Sequence, residues 1–88
     1  MTWTVRFDRK ALKQLGKVPR ADQKRISNYL KNRVARFENP RDAGDPLHGQ
    51  FQGYWKYRVG NYRVIVDIQD DELIVLVIRI GHRREVYR

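Results

Sequence analysis

Cysteine is absent from the chain, which excludes a disulfide framework and a thiolate metal site. Serine occurs once, at Ser27, inside a helical pattern with no histidine or aspartate spaced to support it, so serine-hydrolase chemistry is not expected. His48 and His82, the two histidines, do not form a ligand cluster, and no glycine-rich phosphate loop is present. Acidic residues are the minority charge: 10 Asp and Glu stand against 19 Lys and Arg in 88 residues, a net charge of +9. Long apolar runs are missing as well. The longest, Leu73 to Ile78, is too short to span a bilayer, and Met1 leads into the charged, alternating TWTVRFDRK rather than into a signal peptide. These absences predict a cytoplasmic protein that needs no metal or cofactor and does not span a membrane.

What is present fits one domain over residues 1–88, which buries about two thirds or less of its unfolded surface around a modest core. The positive charge points to nucleic acid, an anionic membrane or an acidic partner, without choosing among them. Up to Pro46 there are 12 basic and 5 acidic residues, and from Leu47 onward 7 and 5, so the excess lies mostly in the first half.

Trp3, Val5 and Phe7 alternate with polar residues at the period of a half-buried strand. Asp8 then caps a helix to about Leu15, with Leu12 and Leu15 on its apolar side. Pro19 opens a second helix, where Ile26, Leu30, Val34 and Phe37 recur at helical spacing. The opposite face carries Lys24, Arg25, Lys31 and Arg36, which read as a solvated basic face or as RNA contacts. Pro, Gly and Asp signals from Glu38 to Pro46 end the helix as a linker. Leu47-His48-Gly49 leads into a hairpin, and LIVLVIRI from Leu73 to Ile80 reads as a strand buried on both faces. The acids Asp70, Asp71 and Glu72 mark an exposed turn, where solubility explains them better than chemistry. The order predicts an α+β fold: an N-terminal strand and two helices packed on a twisted, mainly antiparallel sheet.

The hairpin GYWKYRVGNYRVIVDI is the most specific segment. Gly60-Asn61 is a two-residue turn signal, and it sets Val59 opposite Tyr62, Arg58 opposite Arg63, Tyr57 opposite Val64 and Lys56 opposite Ile65. Like charges facing each other destabilise a sheet. Arg58 and Arg63 side by side, with Lys56 two residues along on the same face, therefore mark an anion site, and a phosphodiester is the leading candidate. Tyr54 shares that face, whereas Trp55, Tyr57 and Tyr62 read as sheet packing.

The combination of LHG at Leu47 to Gly49, YRVGNYRVIV at Tyr57 to Val66 and GHRREVYR at Gly81 to Arg88 resembles the RelE/ParE superfamily of type II toxin-antitoxin toxins, over the whole chain and most closely in its RelE branch. The resemblance implies a RelE-like, microbial-RNase-like fold. It also implies a ribosome-dependent endonuclease that cleaves messenger RNA in the ribosomal A site by 2′-hydroxyl attack on the adjacent phosphate. Arg63, Arg83 and Tyr87 stand where that branch carries its hairpin arginine and its C-terminal arginine and tyrosine, and Lys56 matches an active-site lysine. A second family lysine falls at Tyr54, a departure that leaves open a catalytically silent RNA-binding member.

In-line cleavage needs a proton acceptor, cations on the phosphorane and a donor for the leaving oxygen. Arg63 and Arg83 suit the phosphate oxygens, Lys56 is the candidate base or an added charge, and Tyr87 can stack on a base, orient the phosphate or donate a hydrogen bond. Arg58, Tyr54, His82 and Arg84 are candidates for RNA contact, with a plain surface reading for His82 and a structural one for Arg84 and Arg79. The implied partners are a cognate RelB-like antitoxin, the ribosome with its messenger RNA, and operator DNA bound through the antitoxin. A ParE-like, non-enzymatic inhibitor of DNA gyrase is the competing function, and it has no need of the Lys56, Arg63, Arg83, Tyr87 set.

Overall fold

The N-terminal segment alternates as expected: β1 (Thr4–Phe7) turns Val5 and Phe7 toward the interior and leaves Thr4 and Arg6 exposed. The computed structural model describes residues 2–84. Asp8 ends the strand and caps α1 (Arg9–Gly16), its side chain accepting the Ala11 N–H at 2.8 Å, which satisfies one of the helix's orphan donors. Pro19 then caps α2 (Arg20–Asn32). Four strands follow: β2 (Asp45–Pro46), β3 (Trp55–Val59), β4 (Tyr62–Gln69) and β5 (Ile74–His82).

These strands form one five-stranded sheet in the order β1-β5-β4-β3-β2. All neighbours are antiparallel except β1 and β5, which run parallel with Thr4 beside Ile74 and Phe7 beside Val77. Both helices cover the same face. Tyr57, Val59, Val64, Val66, Val75, Val77 and Ile80 from the sheet pack there with Ala11, Ile26, Leu30 and Val34. The α+β architecture of two helices on a mainly antiparallel sheet is thus the one expected.

The hairpin register is the one set by the turn signal, with Arg58 paired to Arg63, Lys56 to Ile65, Tyr57 to Val64 and Val59 to Tyr62. Gly60 has φ +60°, the left-handed conformation that this tight turn requires and that glycine adopts without steric cost.

Several elements differ from the sequence reading. Helix α2 stops at Asn32 rather than running to Phe37, because Arg33 leaves helical geometry (φ −118°) and residues Val34–Arg36 tighten into a 3₁₀ turn. That turn drives Val34 and Ala35 into the core and leaves the Ala35 carbonyl free to accept the Trp3 N–H at 2.9 Å. Leu12 is not on the apolar side of α1. It is 57% exposed, and Ala11 is buried in its place. The presumed linker contains a 3₁₀ turn at Pro40–Ala43 and the short strand β2. Strand β5 is not buried on both faces, since Val75, Val77 and Ile80 are enclosed while Ile74, Leu76 and Ile78 are half-buried. Asp70 is more than turn punctuation: it accepts two hydrogen bonds from Arg41, at 2.7 and 3.0 Å, which hold its carboxyl below the usual carboxylate range.

Candidate active site

The sheet face away from the helices is divided chemically. One part is apolar: Leu47 and Ile65 are buried there, with Phe51, Tyr54 and Ile78 packed on them. The other part is cationic. Arg58 on β3 and Arg63 on β4 are direct partners, and Gly81 on β5 is the next residue across the sheet. Gly81 itself adds no side chain beside Arg63. Lys56 occupies the adjacent row, between Asp45 on β2 and Ile65 on β4. Among the described residues none of Lys56, Arg58 and Arg63 is in an ion pair; the pair present is Arg41 with Asp70. Three cations on neighbouring positions of one face, with Asp45 opposite Lys56 as the acid beside them, leave a positive potential suited to a phosphodiester.

What brings β5 into this arrangement is a bulge. Ile65 pairs with Arg79 and Val66 with Val77, so Ile78 is an extra residue on β5. A one-residue insertion flips every later side chain to the other face. Before the bulge Val75 and Val77 point to the helices, and after it Ile80 does. Ile78 packs in the apolar cluster of the open face, and the Arg79 guanidinium lies over the Phe51 ring, 5.1 Å from its centroid. Gly81 is thereby placed beside Arg63. The Arg83 N–H donates to the Asn61 carbonyl at 2.9 Å, extending the β4–β5 ladder past the hairpin turn, so the backbone of Arg83 sits next to this face.

The sequence-predicted residues sort accordingly. Lys56, Arg58, Arg63 and Tyr54 share the open face, with Tyr54 half-buried against Leu47 and Ile65. Arg83 and Arg84 are exposed at the end of β5. His82 does not join the cations. The parity that follows the bulge turns it to the helix side, where it meets the Tyr62 ring edge-on at 5.9 Å and 80°, and its Nδ1 accepts the Arg84 N–H at 3.5 Å. Tyr87 lies outside the described residues.

Sequence reasoning missed one residue that this geometry depends on. Gln14, at the end of α1, accepts the Ile80 N–H through Oε1 at 2.8 Å, satisfying a backbone donor at the bulge. Gln14→Ala should leave that N–H without its partner and cost about 1 kcal/mol. The Ile80 amide should also lose protection in hydrogen exchange followed by NMR. Gln14→Glu, which keeps an acceptor, should restore most of it. Unchanged protection in Gln14→Ala would show that the bulge holds without this bond.

Comparison with known proteins places the whole chain. Residues 5–87 match the family model described as the ParE toxin of type II toxin-antitoxin systems, parDE. The chain is 31% identical to toxin RelG of Mycobacterium tuberculosis over 88 residues, covering 100% of this chain and 99% of RelG. It is also 31% identical to the mRNA interferase toxin RelE of Escherichia coli, over 99% of this chain and 92% of RelE. Among solved structures, the toxin-antitoxin complex RelBE2 of M. tuberculosis superposes with a TM-score of 0.86 at 28% identity, covering 97% of this chain and 95% of that one. An arginine-to-alanine double variant of E. coli RelE, in complex with a peptide of its antitoxin RelB, gives 0.72 at 26% identity, over 93% and 84%.

Proposed function

Because this chain belongs to the ParE toxin family of type II toxin-antitoxin systems and is a toxin of the RelE and RelG kind, we propose that it is a ribosome-dependent endonuclease that cuts messenger RNA in the ribosomal A site. The observation that carries this reading is the row of cations Lys56, Arg58 and Arg63 on an open sheet face, none of them in an ion pair among the described residues. A RelE relative is named an mRNA interferase, and the open face has the charge that such chemistry requires. A protein that only clamps another protein does not need like charges placed in register against their own repulsion.

In the proposed reaction the 2′-hydroxyl attacks the adjacent phosphorus and the 5′-oxygen leaves, giving a 2′,3′-cyclic phosphate and a 5′-hydroxyl. Arg63 and Arg83 neutralise the phosphorane oxygens with charge that persists at any physiological pH. Lys56 takes the 2′-proton or adds charge, and Tyr87 positions the nucleotide. Arg58, Tyr54 and Arg84 hold the flanking RNA. The register places Asp45 beside Lys56 and no histidine with them, which is not the paired acid and base of a self-sufficient nuclease, so positioning of the substrate must supply much of the rate. The ribosome is the device that positions it.

The partner in the resting state is a RelB-like antitoxin, in keeping with the RelE–RelB complexes among the solved relatives. The complex binds operator DNA through the antitoxin, and the toxin acts in the cytoplasm. No helix among the described residues is long and apolar enough to cross a membrane.

The test compares naked message with the same message in programmed ribosomes, read by primer extension. Cuts confined to ribosome-bound codons are expected. Efficient cutting of free RNA would point to a self-sufficient ribonuclease, and an intact message together with blocked gyrase supercoiling would overturn the reading in favour of a gyrase poison.

A further inference from the structure

Away from the open face, α2 and the uncovered edge of β3 enclose an open groove of about 690 Å³. Its polar lining is Lys24, Arg25, Asn28 and Asn32 from the helix, Arg33 just past its end and Arg58 from the strand, and no carboxylate is among the lining residues. The groove exists because β2 pairs only with Trp55 and Lys56 and stops short of Arg58. Lys24, Asn28 and Asn32 recur every four residues, so they form one row along the helix.

One of the cations rests on a ring, and a second lies close to the hairpin turn. The Arg33 guanidinium lies over the Tyr29 ring at 5.7 Å, and that ring is itself fixed by its hydroxyl, which donates to the Ala43 carbonyl at 3.3 Å. Arg25 reaches across to the hairpin turn, where a Cβ on Gly60 would come within 3.0 Å of its Nη1. Arg58 belongs to both surfaces. It lines the groove and is the direct partner of Arg63 on the open face, so positive charge runs without a break round the β3 edge.

We propose that this groove is a second RNA-phosphate site, which grips a strand away from the point of cleavage; the proposal rests on the reading of the chain as a ribosome-directed toxin. Four cations together with two amides suit phosphate and ribose oxygens, which ask for charge and for neutral donors and acceptors together. An acidic protein segment is the poorer fit. Docked helices and strands bind through apolar anchors, and the exposed large apolar side chain among the described residues, Leu12, lies on α1, outside the groove.

The experiment uses the full chain and 70S ribosomes programmed with a defined message. Lys24→Ala with Arg25→Ala should raise the half-saturating ribosome concentration about 10-fold while cleavage at saturation stays unchanged. The slope of log affinity against log salt should fall by about 1.4, at roughly 0.7 per cation on a single strand. Lys10→Ala with Lys13→Ala, the same charge removed from α1, is the control and should change both readouts far less. Equal effects from the two pairs would overturn the groove in favour of net charge. An unchanged ribosome affinity alongside slower antitoxin association would also overturn it, assigning the groove to the protein partner. Ribosome binding is measured separately from cutting, so a wild-type chain that binds through Lys24 and Arg25 without cleaving would refute the nuclease reading and leave the groove standing.

Discussion

Arg83→Ala should lower single-turnover cleavage in programmed ribosomes by about 10²- to 10³-fold, the usual cost of removing one preorganised donor to a developing oxyanion. Binding to the ribosome should weaken far less, because it is spread over many phosphate contacts. The structural basis is the β5 bulge, which brings the backbone of Arg83 beside the hairpin turn and within one ladder step of the Arg63 row. Arg83 is exposed, so its removal should leave the melting temperature nearly unchanged. Lys56 can be resolved in the same assay. Arginine at position 56 keeps the charge but cannot lose a proton near neutral pH. Near-normal cleavage by Lys56→Arg would restrict the side chain to electrostatics, whereas a loss matching Lys56→Ala would assign it the proton. Full activity in Arg83→Ala would move the active site elsewhere on the molecule.

The largest effect on stability is expected at Tyr57. Its side chain is fully buried between the sheet and α2, and its hydroxyl donates to the Pro40 carbonyl at 2.8 Å. Tyr57→Ala removes the ring and opens a cavity, at a cost of about 3–5 kcal/mol. A domain of this size has about 5–15 kcal/mol in total, so a large unfolded fraction at 37 °C is the expected result. Tyr57→Phe should cost about 1–3 kcal/mol, through the carbonyl it leaves unpaired.

That pair of variants also reports on pH. Burial is the main cause that pushes the Tyr57 hydroxyl well above its ordinary range; the neighbouring Tyr29 adds to the shift and Arg41 opposes it. In the unfolded chain the same hydroxyl ionises near pH ~10. Below that pH both states hold the proton and the stabilisation is complete; above it only the unfolded state releases the proton, so stability falls as pH rises. Urea midpoints of wild type and Tyr57→Phe should therefore differ by a constant amount up to about pH 10 and converge beyond it. A gap that stays constant through pH 11 would show that Tyr57 ionises as freely in the fold as in solution.

Legibility in the sequence followed the strength of the local chemical signal. Gly60-Asn61 permits one kind of turn, so the Arg58–Arg63 pairing and the shared face of Lys56 could be read from residues alone. Asp8 before an apolar-periodic stretch gave the start of α1 for the same reason. The bulge was not readable. LIVLVIRI is apolar at seven of eight positions, and a run without alternation carries no parity. Nothing in it says that Ile80 turns to the helices while Ile78 does not, and the face of His82 depends on that choice. Leu12 was misplaced because α1 is short and Ala11, the smaller residue, fits closest to the sheet. The groove beside α2 lay hidden for a different reason. Its cations are distributed over helix and strand, and only the tertiary structure brings Arg58 next to Lys24 and Arg25.

The parallel pairing of β1 with β5 orders the chain in time. Thr4 waits for Ile74, a partner made 70 positions later, and synthesis at about 5–20 residues per second puts several seconds between them. Until β5 emerges, β1 has no neighbour, β4 has one bare edge, and the strand that carries Gly81 and leads into Arg83 does not exist. Closing so long a loop also delays the sheet itself, since distant contacts are rewarded only after their entropy has been spent. The open face is therefore incomplete for as long as the chain is growing. Lys56, Arg58 and Arg63 are all made before β5, but Gly81, the neighbour of Arg63, arrives only with this last strand, and until then the cations stand on a sheet with a bare edge.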